Sequence, residues 1–233
     1  ADITAVYSQQ TSLSCADLVL NVDSNAKVTD ISYSTGDGED KNVSLNVYVM
    51  KRDLLLDIIR RADARDYYNF EKYVLVRGVS VYNINGYEHK CYAKVLRTVR
   101  DYFEASMDML DADVRADVFL EKRPIVTRPR DSVPTLYQYN AKTENSLIAD
   151  GCRIDGTVKN SVLFRGVKIG KGAVVENCIL MQETEIGDEA QIANVIADKN
   201  VVDNDVISLY GFVEGETYLV KYFGKGTIEE IEE

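Results

Sequence analysis

The chain has 233 residues, with 27 Lys and Arg against 38 Asp and Glu, a net charge of −11, and 45% hydrophobic residues. So acidic a balance argues against nucleic acid and anionic membrane as partners, because both require basic surface. No apolar run approaches the ~20 residues that span a bilayer and no signal peptide opens the chain, so a cytoplasmic globular protein of one large or two modest domains is expected.

The first residues, ADITAVY, read as a strand, and there is no initiator Met, so a processed or truncated piece of a longer protein is expected. VSLNVYVM alternates Val43, Leu45, Val47 and Val49 with polar or small partners and predicts a strand. KRDLLLDIIRRAD follows at once, with Leu54, Leu55, Ile58 and Ile59 on one helical stripe. YVLVRG and VSVYNI predict two further short strands, and NGY predicts the turn before CYAKV. In YAKVLRTVRDYFEASMDML the start alternates like a strand. The end places Val99, Tyr102, Phe103, Ser106, Met107 and Leu110 on one face of a helix. A strand-to-helix junction is where α/β sheets bind ligands, yet this one offers Lys94, Arg97 and Arg100 and no carboxylate before Asp101.

All three prolines, Pro124, Pro129 and Pro134, fall in PIVTRPRDSVP, which predicts an extended linker. Composition changes across it: twelve of the fifteen tyrosines lie at or before Tyr139, and Phe164 is the lone aromatic from Asn140 to Leu209. The linker region carries Lys122, Arg123, Arg128 and Arg130, a basic group able to hold an anion or simply to keep the segment solvated.

Beyond the linker the chain repeats. SLIADGCRIDGTVKN, SVLFRGVKIGKGAVVEN, CILMQETEIGDEAQIAN and VIADKNVV begin at residues 146, 161, 178 and 195, with a shorter beat of six through Leu163, Ile169, Val175, Ile186 and Ile192. This is the hexapeptide pattern of a parallel β-helix, expected to be left-handed. Aliphatics fill a narrow core, and Gly151, Gly156, Gly170, Gly172 and Gly187 fall near the corners. GVKIGKGA has the wrong spacing for a phosphate loop, and its glycines sit at repeat corners. GETYLVKYFGKG is expected to return as a closing strand, and the IEEIEE tail to be solvated. The expected domains are therefore 1–123, an α/β part; 124–139, the linker; and 140–233, the β-helix.

The four cysteines, Cys15, Cys91, Cys152 and Cys178, form no CxxC and read as reduced, mostly buried thiols. One histidine, His89, builds no His-rich metal site, so no metal ligand set is expected.

An α/β part, a linker and a hexapeptide β-helix together resemble the glucose-1-phosphate adenylyltransferase (ADP-glucose pyrophosphorylase) family of bacterial glycogen synthesis. NVSLNVYVMKRDLLL, VRDYFEASMDML and NSLIADGCRIDGTVKNSVLFRGVKIGKGAVVENCILM carry the resemblance. The resemblance implies that 1–123 is the last part of a Rossmann-like nucleotidyltransferase α/β domain, and it implies ATP, glucose 1-phosphate and Mg²⁺ for the family. Catalytic members share Tyr-Trp-Arg-Asp-Val-Gly-Thr, which aligns with YAKVLRT. Tyr92 and Thr98 match, the metal-holding Asp falls on Val95, and the Gly falls on Arg97. The family's Ser-Met-Gly sugar-contact segment falls on Ser44-Leu45-Asn46, so Ser44 is expected to be a vestige of a sugar-phosphate site. GDGEDKN stands where Glu-Lys-Pro would grip the sugar phosphate.

These departures resemble the non-catalytic, regulatory type of subunit that some Gram-positive bacteria pair with a catalytic one. The expectation is no catalytic residue and no cofactor held by this chain. It should form a homo-oligomer in isolation and a mixed oligomer with a catalytic subunit, with a sugar-phosphate effector near Lys122, Arg123, Arg128 and Arg130. The alternatives are an active nucleotidyltransferase with an atypical metal site and a hexapeptide acyltransferase. The latter is disfavoured because those enzymes generally use a coil histidine as base and these coils have none.

Overall fold

The structure, a computed structural model, describes residues 1–10, 16–35, 40–128, 130–202, 218–223 and 227–229, the last two stretches as backbone. The chain divides into two units, Ala1–Thr98 and Val99–Glu233. The division falls ahead of the 124–139 proline segment, so the helices after Val99 group with the repeats.

The first unit is built on a five-stranded sheet. Its strands are β1 (Ile3–Gln10), β2 (Asp17–Val22), β3 (Val28–Ser34), β4 (Lys41–Met50) and β5 (Ile84–Glu88), in the order β3-β2-β4-β1-β5. β1 pairs antiparallel with β4 and parallel with β5. Alternation fixes the faces: Ile3, Ala5, Leu18, Leu20 and Ile31 gather into one buried cluster with Ile58, Val74 and Leu75. Val19 and Val43 form a second cluster with Val95. Helix α1 (Arg52–Asp63) has Asp53 in its first turn and Arg60 and Arg61 in its last, which matches the helix dipole. Its apolar stripe is wider than the face it buries: Ile58 is buried and Leu54 packs on the core, while Leu55 and Ile59 stay exposed.

Four expectations fail in this unit. Neither YVLVRG nor VSVYNI is a strand: Glu71–Val76 forms a single π-helical turn, turns run on through 77–81 with a bend at Tyr82, and of VSVYNI only Ile84 enters β5. A short apolar run cannot distinguish the two by periodicity. Here Asn69 Oδ1 accepts from the Lys72 N–H at 2.8 Å and starts the turn, which buries Val74 and Leu75 without alternation. NGY is not a turn, because Asn85, Gly86 and Tyr87 lie inside β5. Gly86 is required there by proximity: a Cβ would stand 2.9 Å from the Tyr7 ring. Finally, residues 92–97 join no ladder and cross the sheet as irregular chain.

The second unit begins with α2 (Val99–Asp108) and α3 (Ala112–Val118), the latter capped by Asp111, whose side chain accepts from the Asp113 N–H at 2.7 Å. The repeats then wind into a parallel β-solenoid of three sheets. Leu136–Tyr137, Arg153–Ile154, Lys168–Ile169 and Glu185–Ile186 stack in one. Lys142–Glu144, Thr157–Lys159, Val174–Glu176 and Gln191–Ala193 stack in the next. The third holds Leu147–Ile148, Val162–Leu163, Ile179–Leu180 and Val195–Ala197, onto which the expected closing strand, Tyr218–Phe223, pairs in parallel.

The beat of six is the core: Leu163, Ile169, Val175, Ile186 and Ile192 are all buried. The corners differ from expectation. Gly151, Gly166 and Gly172 have positive φ, but Gly156 and Gly170 answer to proximity instead. A Cβ on Gly156 would lie 2.4 Å from the Ala173 carbonyl oxygen, and one on Gly170 2.6 Å from the Asp188 nitrogen. Left-handed corners are also taken by asparagines 145, 160, 177 and 194, with φ of 41°, 44°, 51° and 56°. Asn tolerates that region better than other residues with a Cβ. Stacking coils brings these amides into a ladder, with Asn145 Nδ2 donating to Asn160 Oδ1 at 2.8 Å and Asn177 Nδ2 to Asn194 Oδ1 at 3.1 Å.

Among the described cysteines Cys152 and Cys178 are buried and Cys91 is half-buried, all free; Cys15 lies outside the described residues. Burial pushes the Cys178 thiol up to about 12 and raises that of Cys152.

Candidate functional site

Residues 92–98 bring a loop from β5 across the sheet. Val95, at the position corresponding to a metal carboxylate in the resemblance, sets its methyl groups against Val19 and Val43. That donor chemistry does not fit Mg²⁺, which requires hard oxygen ligands. Among the described residues no group of three or more His, Cys, Asp and Glu converges to hold a metal ion. Two positions on, Arg97 forms an ion pair with the buried carboxylate of Asp17, at the start of β2. A long cationic side chain is thus tied to the sheet where the family carries Gly. Gln10 Nε2 also reaches the Ala93 carbonyl at 3.5 Å.

Ser44 sits at a bulge. The β1–β4 register shifts after Val6, so Leu45 and Asn46 have no partner in that ladder. Asn46, at the position where the resemblance places a Gly, takes φ of +57°, a left-handed backbone that Asn tolerates better than most residues with a Cβ. The bulge closes a ring of hydrogen bonds. Asn46 N–H donates to Ser44 Oγ at 3.3 Å, and the Tyr48 hydroxyl donates to Asn46 Oδ1 at 3.2 Å. That leaves Ser44 Oγ to donate to the Tyr48 oxygen at 3.0 Å. Ser44 is fully buried, and its hydroxyl serves the bulge.

Tyr48 and its surroundings complete a polar cluster. Burial pushes the Tyr48 phenol above its usual value; the Ser44 hydrogen bond opposes this, Glu71 and Tyr33 add to it, and Arg97 opposes it. The Tyr33 hydroxyl donates to Glu71 Oε2 at 3.1 Å, and its phenol is likewise raised, first by burial and then by Glu71. Three local pairings thus lie within electrostatic reach of one another: the ring of Ser44, Asn46 and Tyr48, the Tyr33–Glu71 hydrogen bond, and the Arg97–Asp17 ion pair.

The linker residues stand apart from it in sequence. Lys122, Arg123, Arg128 and Arg130 are all exposed on the chain that leads into the solenoid; the segment holds Pro129, which lies outside the described residues, as does residues 36–39 of GDGEDKN. The helical stripe of α2 lines a cavity rather than a closed core: Phe103, Met107 and Leu110 face the asparagine ladder across about 380 Å³. That ladder was readable, since asparagines recur at 145, 160, 177 and 194 with the spacing of the repeats themselves.

Residues 132–209 match the family of GlmU-like C-terminal hexapeptide domains. The chain is 34% identical to the glycogen biosynthesis protein GlgD of Bacillus subtilis (strain 168) over 79% of this chain and 54% of the relative. It is 40% identical to GlgD of Geobacillus stearothermophilus over 68% and 45%. A glucose-1-phosphate adenylyltransferase of Desulfitobacterium hafniense (strain Y51) is 30% identical over 70% and 42%. The chain thus spans about half the length of the relatives it matches.

Proposed function

We propose that this chain, a relative of GlgD and of the glucose-1-phosphate adenylyltransferases, belongs to a non-catalytic subunit of that enzyme in glycogen biosynthesis. A partner subunit would carry the conversion of ATP and glucose 1-phosphate to ADP-glucose and pyrophosphate. The observation that carries the reading is Val95, seated in an apolar cluster with Val19 and Val43 where catalytic members place their metal-holding Asp. Without that carboxylate, the neutralisation of phosphate charge by Mg²⁺ loses an anchor. Arg97, locked to Asp17, supports the same conclusion, because restoring the carboxylate alone would leave a guanidinium where the family needs Gly.

The role left to such a subunit is assembly and regulation in the cytoplasm. Among the described residues, Lys142–Glu144 and Gln191–Ala193 end their sheet without a further strand, and such edges favour pairing with another subunit. In the mixed oligomer, the exposed Lys122, Arg123, Arg128 and Arg130 would meet a phosphorylated effector. The test is to mix the purified protein with a catalytic glucose-1-phosphate adenylyltransferase subunit and follow mass by light scattering and rate by pyrophosphate release. A mixed oligomer with altered turnover or effector response is expected. Two species that elute apart, with the catalytic rate unchanged, would overturn it.

A further inference from the structure

A second site lies on the first unit, at the end of α1. The last turns of α1, the loop after it and the π-helical turn border an open cavity of about 270 Å³. Arg61, Arg65 and Arg77 line it together with Tyr67 and Tyr73, and no lining residue is acidic. In a chain of net charge −11 this is a local reversal of sign.

The arrangement is built. Tyr67 and Tyr73 stack with ring centroids 4.2 Å apart and planes 8° from parallel. The Arg77 guanidinium lies 5.0 Å from the Tyr73 centroid and 5.8 Å from that of Tyr67, so the ring faces hold a flat, always-charged fork. Lys72 adds a further positive charge 5.5 Å from the Tyr73 ring. The π-helical turn sets Tyr73 one turn away from Arg77, and such turns recur at functional sites. Gly78 permits the return of the chain at the cavity floor, because a Cβ would lie 2.0 Å from the Val74 carbonyl oxygen. Of the three guanidinium groups, Arg61 is already paired, at 2.7 Å with Asp57 on its own helix.

We infer that this cavity binds a small phosphorylated metabolite, with Arg65 and Arg77 gripping the phosphate and the tyrosines bordering the rest. Guanidinium forks match phosphate oxygens in pairs. The volume lies just below the usual range for ligand pockets, ~300–1,000 Å³, and so suits a sugar phosphate better than a dinucleotide. The inference does not depend on the regulatory reading, since it concerns binding to this chain alone.

The experiment is calorimetric titration of the 233-residue chain with glucose 6-phosphate, with glucose as the neutral control. Saturable binding of the phosphate ester alone is expected. Arg65→Gln and Arg77→Gln should each weaken it by at least ~tenfold, the loss of one charge-assisted contact. Arg52→Gln, an equal change of charge at the opposite end of α1, should leave it intact. Arg65 is exposed, so its substitution keeps the fold, and unchanged melting temperatures check both variants. Absence of saturation below ~10 mM, undiminished affinity in both variants, or equal weakening by Arg52→Gln would each overturn the inference.

Discussion

Replacing Ile169 measures how much the solenoid depends on its narrow core. Ile169 is 2% exposed and stacks in register between Ile154 and Ile186 in the neighbouring coils. Ile169→Ala removes three buried carbons, about 2.4 kcal/mol of transfer free energy at ~0.8 kcal/mol per methylene. Gly156 approaches so closely that a Cβ there would lie 3.0 Å from Ile169 Cγ2, so the neighbouring backbone is already packed and the cavity collapses poorly. The cavity brings the expected cost to about 3–4 kcal/mol. Ile169→Asp adds a carboxyl without a partner and should cost ~5 kcal/mol, comparable with the whole stability of a marginal domain. The control is the preceding residue. Lys168 is an exposed partner of Glu185, and Lys168→Ala should cost no more than ~0.5 kcal/mol. Urea denaturation followed by far-ultraviolet circular dichroism reads all three. If Ile169→Ala shifts the midpoint no more than Lys168→Ala does, Ile169 is not in the core and the repeat register is wrong.

Other outcomes follow from single contacts. Gly170→Ala should lower stability by ~2 kcal/mol, because its Cβ meets the backbone of Asp188, whereas Gly151→Ala should cost ~1 kcal/mol for its positive φ alone; equal melting temperatures for the two would contradict this. The Cys178 thiol holds its proton in the folded state beyond the pH at which an unfolded cysteine loses it, so its contribution is full below about pH 9 and fades as pH climbs toward about 12. Denaturation midpoints measured across that window should fall less steeply in Cys178→Ala, and parallel slopes would remove Cys178 as a cause. Ser44→Ala should cost ~1 kcal/mol by opening the ring with Tyr48 and Asn46, again read by urea midpoint; a neutral result would show that the ring does not hold the bulge.

The solenoid was legible because each coil repeats the same local problem: an aliphatic must point inward every six residues, and the sequence states this several times. The first unit states its pattern once. α1 and α2 were recovered from periodicity, but Val74 and Leu75 could equally belong to a strand or a helical turn, and the Lys72 N–H bond to Asn69 Oδ1 that accompanies the turn leaves no mark on periodicity. β2 and β3 carried no separate reading; in β2, Asp17, Leu18, Val19 and Leu20 are all buried, so alternation is erased. The position of Val95 came from the resemblance. Its packing on Val19 and Val43 and the pairing of Arg97 with Asp17 join residues far apart in sequence, for which no local pattern exists, and the cavity at Arg65 and Arg77 depends on the π-helical turn that periodicity did not show.

The central claim is that the protein does not itself catalyse adenylyl transfer. The most direct measurement is pyrophosphate release from ATP and glucose 1-phosphate with Mg²⁺ by the purified protein in its natural length, without a partner subunit. The account predicts no turnover above background. A rate of ~1 s⁻¹ or more, within the range of ordinary enzymes, would contradict it and require a metal held by groups other than a carboxylate at position 95.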